Sequence, residues 1–174
     1  MSSGWIDTLI GGGLAITGGF VSSWWQTKLT ADREARQLAK AIKGELTGIL
    51  EIAKVRQYEK GIEAALNHVR ATSQPFIFSV TVRGDYTAVY RENAGRLGLL
   101  KGELPATISV VYTKIFSILE DFHLLTEIQG KPDRHHEMDL GRCLEMYEEL
   151  LELLRQTLAQ GQAVIDEIGV LYPK

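Results

Sequence analysis

Apolar positions fall into two regimes along this chain. From residue 8 to 25 nothing is charged, and TLIGGGLAITGGFVSSWW is apolar, small or hydroxylic throughout its 18 residues. Beyond Lys28 the apolar residues recur at steps of three and four, the spacing of one helix face. Leu38, Ile42, Leu46, Ile49, Ile52, Ala53 and Val55 predict that the chain leaves the uncharged stretch as one continuous helix, with a kink near Gly44 or Gly48. Ile62, Leu66 and Val69 mark a second helix over about 61–70. A third holds Tyr86, Val89, Tyr90 and Leu97, with Asp85 as its N-cap and Gly98 as its C-cap.

Pro105 suits the first turn of a fourth helix, whose face runs Ile108, Val111, Tyr112, Ile115, Ile118, Leu119, Phe122 and Leu125 before Gly130-Lys131-Pro132 stops it. The last helix, about 137–168, carries a seam of Leu140, Leu144, Tyr147, Leu151, Leu154 and Leu158. One segment resists this reading. FIFSVTV, 76–82, has strand propensity but no pairing partner in the chain, and a lone strand leaves its backbone groups unsatisfied. It is expected to be a buried extended or short helical piece. The fold class is therefore all-α, an antiparallel helical bundle with short connections.

The uncharged stretch has the length of a transmembrane-helix candidate. Trp5 stands at one end and Trp24 and Trp25 at the other, and the 19 steps from Trp5 to Trp24 cover roughly 28 Å of helix, close to one bilayer core. Tryptophan favours that interface because its ring is apolar and its N–H seeks a wet partner. Lys28, Arg33, Arg36, Lys40 and Lys43 follow the stretch and no Lys or Arg precedes it. The positive-inside rule then places the N-terminus outside and the C-terminal part in the cytoplasm. The division expected is a transmembrane anchor over 1–27 and a cytosolic bundle over 28–174, in a bacterial inner membrane. Trp5, Trp24, Trp25, Lys28 and Arg33 would set depth and orientation.

Gly11, Ala15, Gly19 and Ser23 form a ladder of small residues at steps of four. Such ladders let membrane helices approach closely, so the chain is expected to be a homo-oligomer packed on these four residues.

Charge and composition narrow the chemistry. A net charge of −3 argues against a nucleic-acid partner. A single cysteine, Cys143, excludes an intramolecular disulfide and a multi-cysteine metal site. GGGLAITGG lacks the Lys-Ser/Thr of a phosphate-binding loop, and neither G-x-S-x-G nor H-E-x-x-H occurs. Asp133-Arg134-His135-His136-Glu137 offers legal metal ligands, but adjacent residues seldom converge on one ion and a polar interhelix loop explains it as well. No cofactor, metal or catalytic residue is expected. Tyr86, Tyr90, Arg91, Asn93 and Arg96 crowd one short helix and are candidate contacts to a ligand or partner, since Arg and Tyr recognise anions and rings.

The pattern D-Y-x-x-V-Y-x-x-N-x-x-x-L-G-L-L over 85–100, then V-Y-T-x-I over 111–115, together with the N-terminal stretch, resembles a group of uncharacterised bacterial small single-pass membrane proteins of accessory and defence loci. In plan the chain is also similar to the pore-forming membrane accessory protein of type VI CRISPR systems. That plan lacks one part here, because no arginine is followed four to six residues later by a histidine as in HEPN ribonucleases. With the absent catalytic motifs and the small-residue ladder, the function expected is a non-enzymatic homo-oligomer acting on membrane integrity or ion permeability, and the resemblance implies that it does so as an antiviral defence effector. The alternative is a membrane-tethered helical scaffold that recruits a cytosolic protein and forms no pore.

Overall fold

The computed structural model describes residues 4–78, 80, 85–131, 133–134 and 138–173, and for residues 4–27 the backbone alone. Five α-helices are described: α1 (Gly4–Val55), α2 (Tyr58–Thr72), α3 (Ala88–Asn93), α4 (Leu104–Gln129) and α5 (Leu140–Leu171), with a 3₁₀ segment, Ala94–Leu99, after α3. The described residues contain no strand. The helical class read from periodicity holds.

The 32-residue α5 is the spine. Ile108, Val111 and Tyr112 of α4 share one buried cluster with Val164 and Ile168 of α5, while Phe122 and Leu125 share a second with Cys143 and Tyr147. The two helices therefore run antiparallel. On the other side, Leu50 of α1 packs at Gly161 and Lys43 at Gly169, and on α2 Glu59 pairs with Arg155 and Arg70 with Glu148. As numbering rises along α1 and then α2, it falls along α5. So α1 and α2 follow one another as a single interrupted rod, α1 on the C-terminal half of the spine and α2 on its N-terminal half. These exposed ion pairs contribute little energy but fix the register. The two clusters meet at a waist beside the interruption.

Several expectations need correction. Gly44 and Gly48 lie in unbroken helix on the solvent side, with nothing near the place a Cβ would occupy. The break falls instead at Arg56 and Gln57, where no glycine or proline stands. Asp85 does not cap α3. Its carboxylate accepts from the Thr87 N–H and the Thr87 hydroxyl, each at 3.0 Å, and Thr87 occupies the cap. Gly98 is not a C-cap, because α3 tightens at Ala94 into the 3₁₀ segment and passes through Gly98 to Leu100. Pro105 sits one place inside α4, after Leu104, and Asp139 caps α5 by accepting from the Arg142 N–H at 2.8 Å.

The 76–82 segment is neither helix nor strand at its described residues 76–78 and 80. Its backbone is satisfied by side chains instead of a sheet. The Tyr147 hydroxyl donates to the Phe76 carbonyl at 2.7 Å and accepts from the Phe78 N–H at 2.8 Å, and the Thr126 hydroxyl donates to the Val80 carbonyl at 3.2 Å. Phe76 is exposed, so the expected burial is met only by the partly buried Ile77, Phe78 and Val80.

Among the described residues no helix is long and apolar enough to cross a membrane. The transmembrane part of the expected architecture has no support from the fold. Five glycines and four Ser or Thr within residues 8–25 keep that stretch from being strongly apolar. Its backbone is helical and continuous with the rest of α1. The side chains of Gly11, Ala15, Gly19, Ser23, Trp5, Trp24 and Trp25 lie outside the described residues, as do His135, His136 and Glu137. Lys28 and Arg33 are exposed.

Candidate functional site at the helix break

Three places hold the residues singled out above or a concavity able to take a ligand. The first is α3 and its surroundings. Five of its residues were expected to face a ligand or partner, and the fold brings them together and engages most of them internally. The Tyr90 ring stacks on Tyr112 at 3.9 Å with an interplanar angle of 8°. Arg91 pairs with Asp85 at 3.4 Å and lies over the Phe116 ring at 5.2 Å. The Asn93 amide donates to the Val89 carbonyl, and Arg96 donates to Asn93 and pairs with Glu34 at 3.2 Å. Tyr86 reaches inward and lines an apolar cavity.

The group that organises this cluster is Glu45 of α1, which sequence reasoning passed over. Its carboxylate accepts from the Val89 N–H at 2.6 Å, from the Tyr90 N–H at 3.0 Å and from the buried Tyr112 hydroxyl at 2.6 Å. These two amides belong to the first turn of α3, whose N–H groups have no helical acceptor, so the carboxylate does from α1 what a cap does locally. Burial and the Glu45 carboxylate together push the Tyr112 hydroxyl far above the ordinary tyrosine range. Among the described side chains no buried polar atom lacks a partner.

The second place is a small acidic concavity of Asp121, Glu145 and Glu149 beside Arg142 and Met146. Partial burial, then Glu120 and Glu149, raise the Asp121 carboxyl. No group of three or more His, Cys, Asp or Glu among the described residues is placed to hold a metal ion.

The third place is the break itself. Gln57 adopts φ 53° and ψ 40°, a left-handed conformation unusual for a side-chain-bearing residue. Its N–H donates to the Lys54 carbonyl and its carbonyl accepts from the Gly61 N–H, both at 3.0 Å. Around it α1, α2 and α5 enclose a groove of ≈ 750 Å³. Beneath the groove, at the waist between the two core clusters, lies a wholly apolar cavity of ≈ 60 Å³ that includes Ile49, Ile115, Phe122 and Leu154 in its wall. Leu50, Ala53 and Leu158 line both spaces. No Gly, Pro or motif in the sequence marks this place. Nor does the apolar spacing mark it, since Ile52, Val55, Tyr58 and Ile62 continue at steps of three and four across the break.

Compared with protein-family models, with curated proteins and with solved structures, the chain matches none.

Proposed function

We propose that this chain is a non-enzymatic tethering module, a helical scaffold held at a bacterial inner membrane by the N-terminal half of α1 and presenting its bundle to a cytosolic protein. The observation that carries the reading is the continuity of α1. It runs 52 residues without a break, ~78 Å at helical rise, and among its described side chains entry into the core begins only at Ala35. The uncharged, tryptophan-flanked stretch 8–25 thus rides on the same rigid element that anchors the bundle. Its small-residue ladder Gly11, Ala15, Gly19 and Ser23 supports self-association, which would bury one face of a helix too glycine-rich to face lipid all round. Lys28 and Arg33, exposed just beyond, suit an anionic headgroup layer.

A role in antiviral defence rests on the resemblance alone, and the tether rather than membrane permeabilisation is the reading the helix favours. The test is flotation of the full chain with liposomes containing anionic lipid. The wild type is expected to float and to resist alkaline extraction, whereas Leu14→Lys with Ile16→Lys stays at the bottom of the gradient. A wild-type chain that remains unbound overturns the reading. Within floated material, Ala15→Leu with Gly19→Leu should reduce the oligomer mass. Release of an entrapped dye by the wild type would favour the pore over the scaffold.

A further inference from the structure

The groove and the cavity at the helix break adjoin, and Leu50, Ala53 and Leu158 line both. Leu50 lies at their junction. It rests on Gly161, where a Cβ would lie only 3.0 Å from Leu50 Cδ1, so the absence of a side chain there is what seats it. With the cavity behind it, Leu50 has space to turn into. A cavity of ≈ 60 Å³ exceeds several-fold the ~10–15 Å³ a single water needs, yet its apolar lining offers water no partner. Hydrocarbon suits it and water does not. The groove above, at ≈ 750 Å³, falls within the ~300–1,000 Å³ range of small-molecule sites.

The rim of the groove supplies a charge preference. Lys54 and Lys60 line it, and neither pairs with a carboxylate among the described residues. Glu59 also lines it and shares the Arg155 guanidinium with Glu63. Glu51 is the rim carboxylate without such a partner. Lys54 and Lys60 are the rim cations left to meet an anionic head, which lysine ammonium groups bind as point charges. Gln57 and Gln162 add amide donors.

We propose that groove and cavity form one binding site for a single-chain anionic amphiphile, a medium-chain fatty-acid-type carboxylate, whose head lies between Lys54 and Lys60 and whose tail passes Leu50 into the waist. The site requires no contribution from the N-terminal half of α1, so it stands or falls apart from the membrane tether.

The test uses the full chain with Ala53→Cys, which puts a thiol in the shared wall, and the rate at which a small thiol reagent labels it. The native Cys143 is buried and serves as the slow background. The probe is decanoate below its micelle concentration. At about ten times its dissociation constant, decanoate should slow labelling ~10-fold, as occupancy of a single site requires. Decanol and decyltrimethylammonium, with the same chain and the wrong head, should protect ~5-fold to 10-fold more weakly. Lys54→Glu with Lys60→Glu, at exposed positions where folding is not at risk, should abolish the preference for decanoate over decanol. A thiol at Glu92→Cys, exposed on α3, should label at the same rate with and without decanoate. Unchanged labelling of Ala53→Cys overturns the proposal. So does equal protection by all three heads, and so does equal protection at position 92, which would report general surfactant action. Should Ala53→Cys weaken the fold, a larger rise in the wild-type melting temperature with decanoate than with decanol at equal concentration carries the same decision, and equal or absent rises overturn the proposal.

Discussion

Removing the Glu45 carboxylate should cost far more than its place on a lysine-rich helix suggests. In Glu45→Ala three donors lose one acceptor: the Val89 and Tyr90 amides and the Tyr112 hydroxyl. Hydrogen bonds to a charged group contribute ~1.5–3 kcal/mol each, but the losses differ in kind. The amides lie in a part-buried turn and can turn to water. The Tyr112 side chain is fully buried against Tyr90 and Phe116, and its orphaned hydroxyl bears a desolvation cost of ~1–3 kcal/mol. The total expected is ~3–5 kcal/mol, or roughly 10–15 °C in melting temperature for a chain of this size. Tyr112→Phe alone removes one donor and leaves the carboxylate its two amides, so it should cost only ~1–2 kcal/mol.

The decisive variant combines the two. Once Glu45 is gone, deleting the Tyr112 hydroxyl removes the orphan, so the double variant should be no less stable than Glu45→Ala. The measurement is denaturant unfolding of all four proteins as a double-mutant cycle, with hydrogen exchange at Val89 and Tyr90 reporting whether α3 has come loose. Strictly additive costs would refute the shared-acceptor account, and so would unchanged exchange at those two amides.

Three further expectations are independent of that cycle. Gly61→Ala puts a Cβ 2.5 Å from the Phe78 ring, so the 76–80 segment must shift at a cost of ~1–3 kcal/mol, read as a lower denaturation midpoint with faster exchange at the Phe78 amide. Asp121 has its folded pKa raised above the usual 3.8 by partial burial and by Glu120 and Glu149, so the stability it contributes is present below that value and is lost as pH rises through the folded pKa. Asp121→Asn should therefore stabilise the protein at pH 7 by less than ~1 kcal/mol and leave it unchanged at pH 3, checked by melting at both. Burial raises the Cys143 thiol above its ordinary range, and the residue is inaccessible, so a thiol reagent should label it only at the rate at which the fold opens. Labelling that tracks reagent concentration without limit would show an open path to it.

What the sequence made legible was what local periodicity controls. The seams of α4 and α5 point inward as their spacing requires, and Gly130 ends α4 as read, whereas the start of α5 is set by the Asp139 cap, two to three residues later than the spacing suggested. What it hid was pairing over long separations. Nothing near Glu45 in sequence announces that its partners lie 44, 45 and 67 residues away. Tyr147 looked like one more member of an apolar seam, yet its hydroxyl holds the 76–78 segment, and the Tyr172 hydroxyl accepts from the Lys101 N–H at 2.9 Å in the same way. The strand propensity of 76–82 is rightly set aside for want of a partner, and at the described residues side-chain hydroxyls meet the backbone groups a sheet would have met. Glycine misled over the kink. A helix already pinned by Ala39, Ile42 and Leu46 tolerates solvent-side glycines, whose cost of ~1 kcal/mol each is small beside that burial.

The helix break is the place where local and global preferences disagree. A rod of α1 and α2 laid along α5 could have been continuous, since both halves run in one direction against the same spine. Instead Gln57 is held left-handed at ~1 kcal/mol or more, and the waist keeps an unfilled apolar concavity. Both features are local, so they can be removed one at a time. Gln57→Gly fits the same φ without a Cβ, and after the greater freedom of glycine in the unfolded chain is subtracted it should gain ~0.5 kcal/mol, or ~1–2 °C. The gain should come with α2 still docked, shown by retained protection of the Ile62 and Val69 amides. A loss of stability would mean that contacts of the Gln57 side chain offset the strain. A gain would place the strain in the backbone alone, kept by a break whose only visible product is the groove and the cavity beneath it.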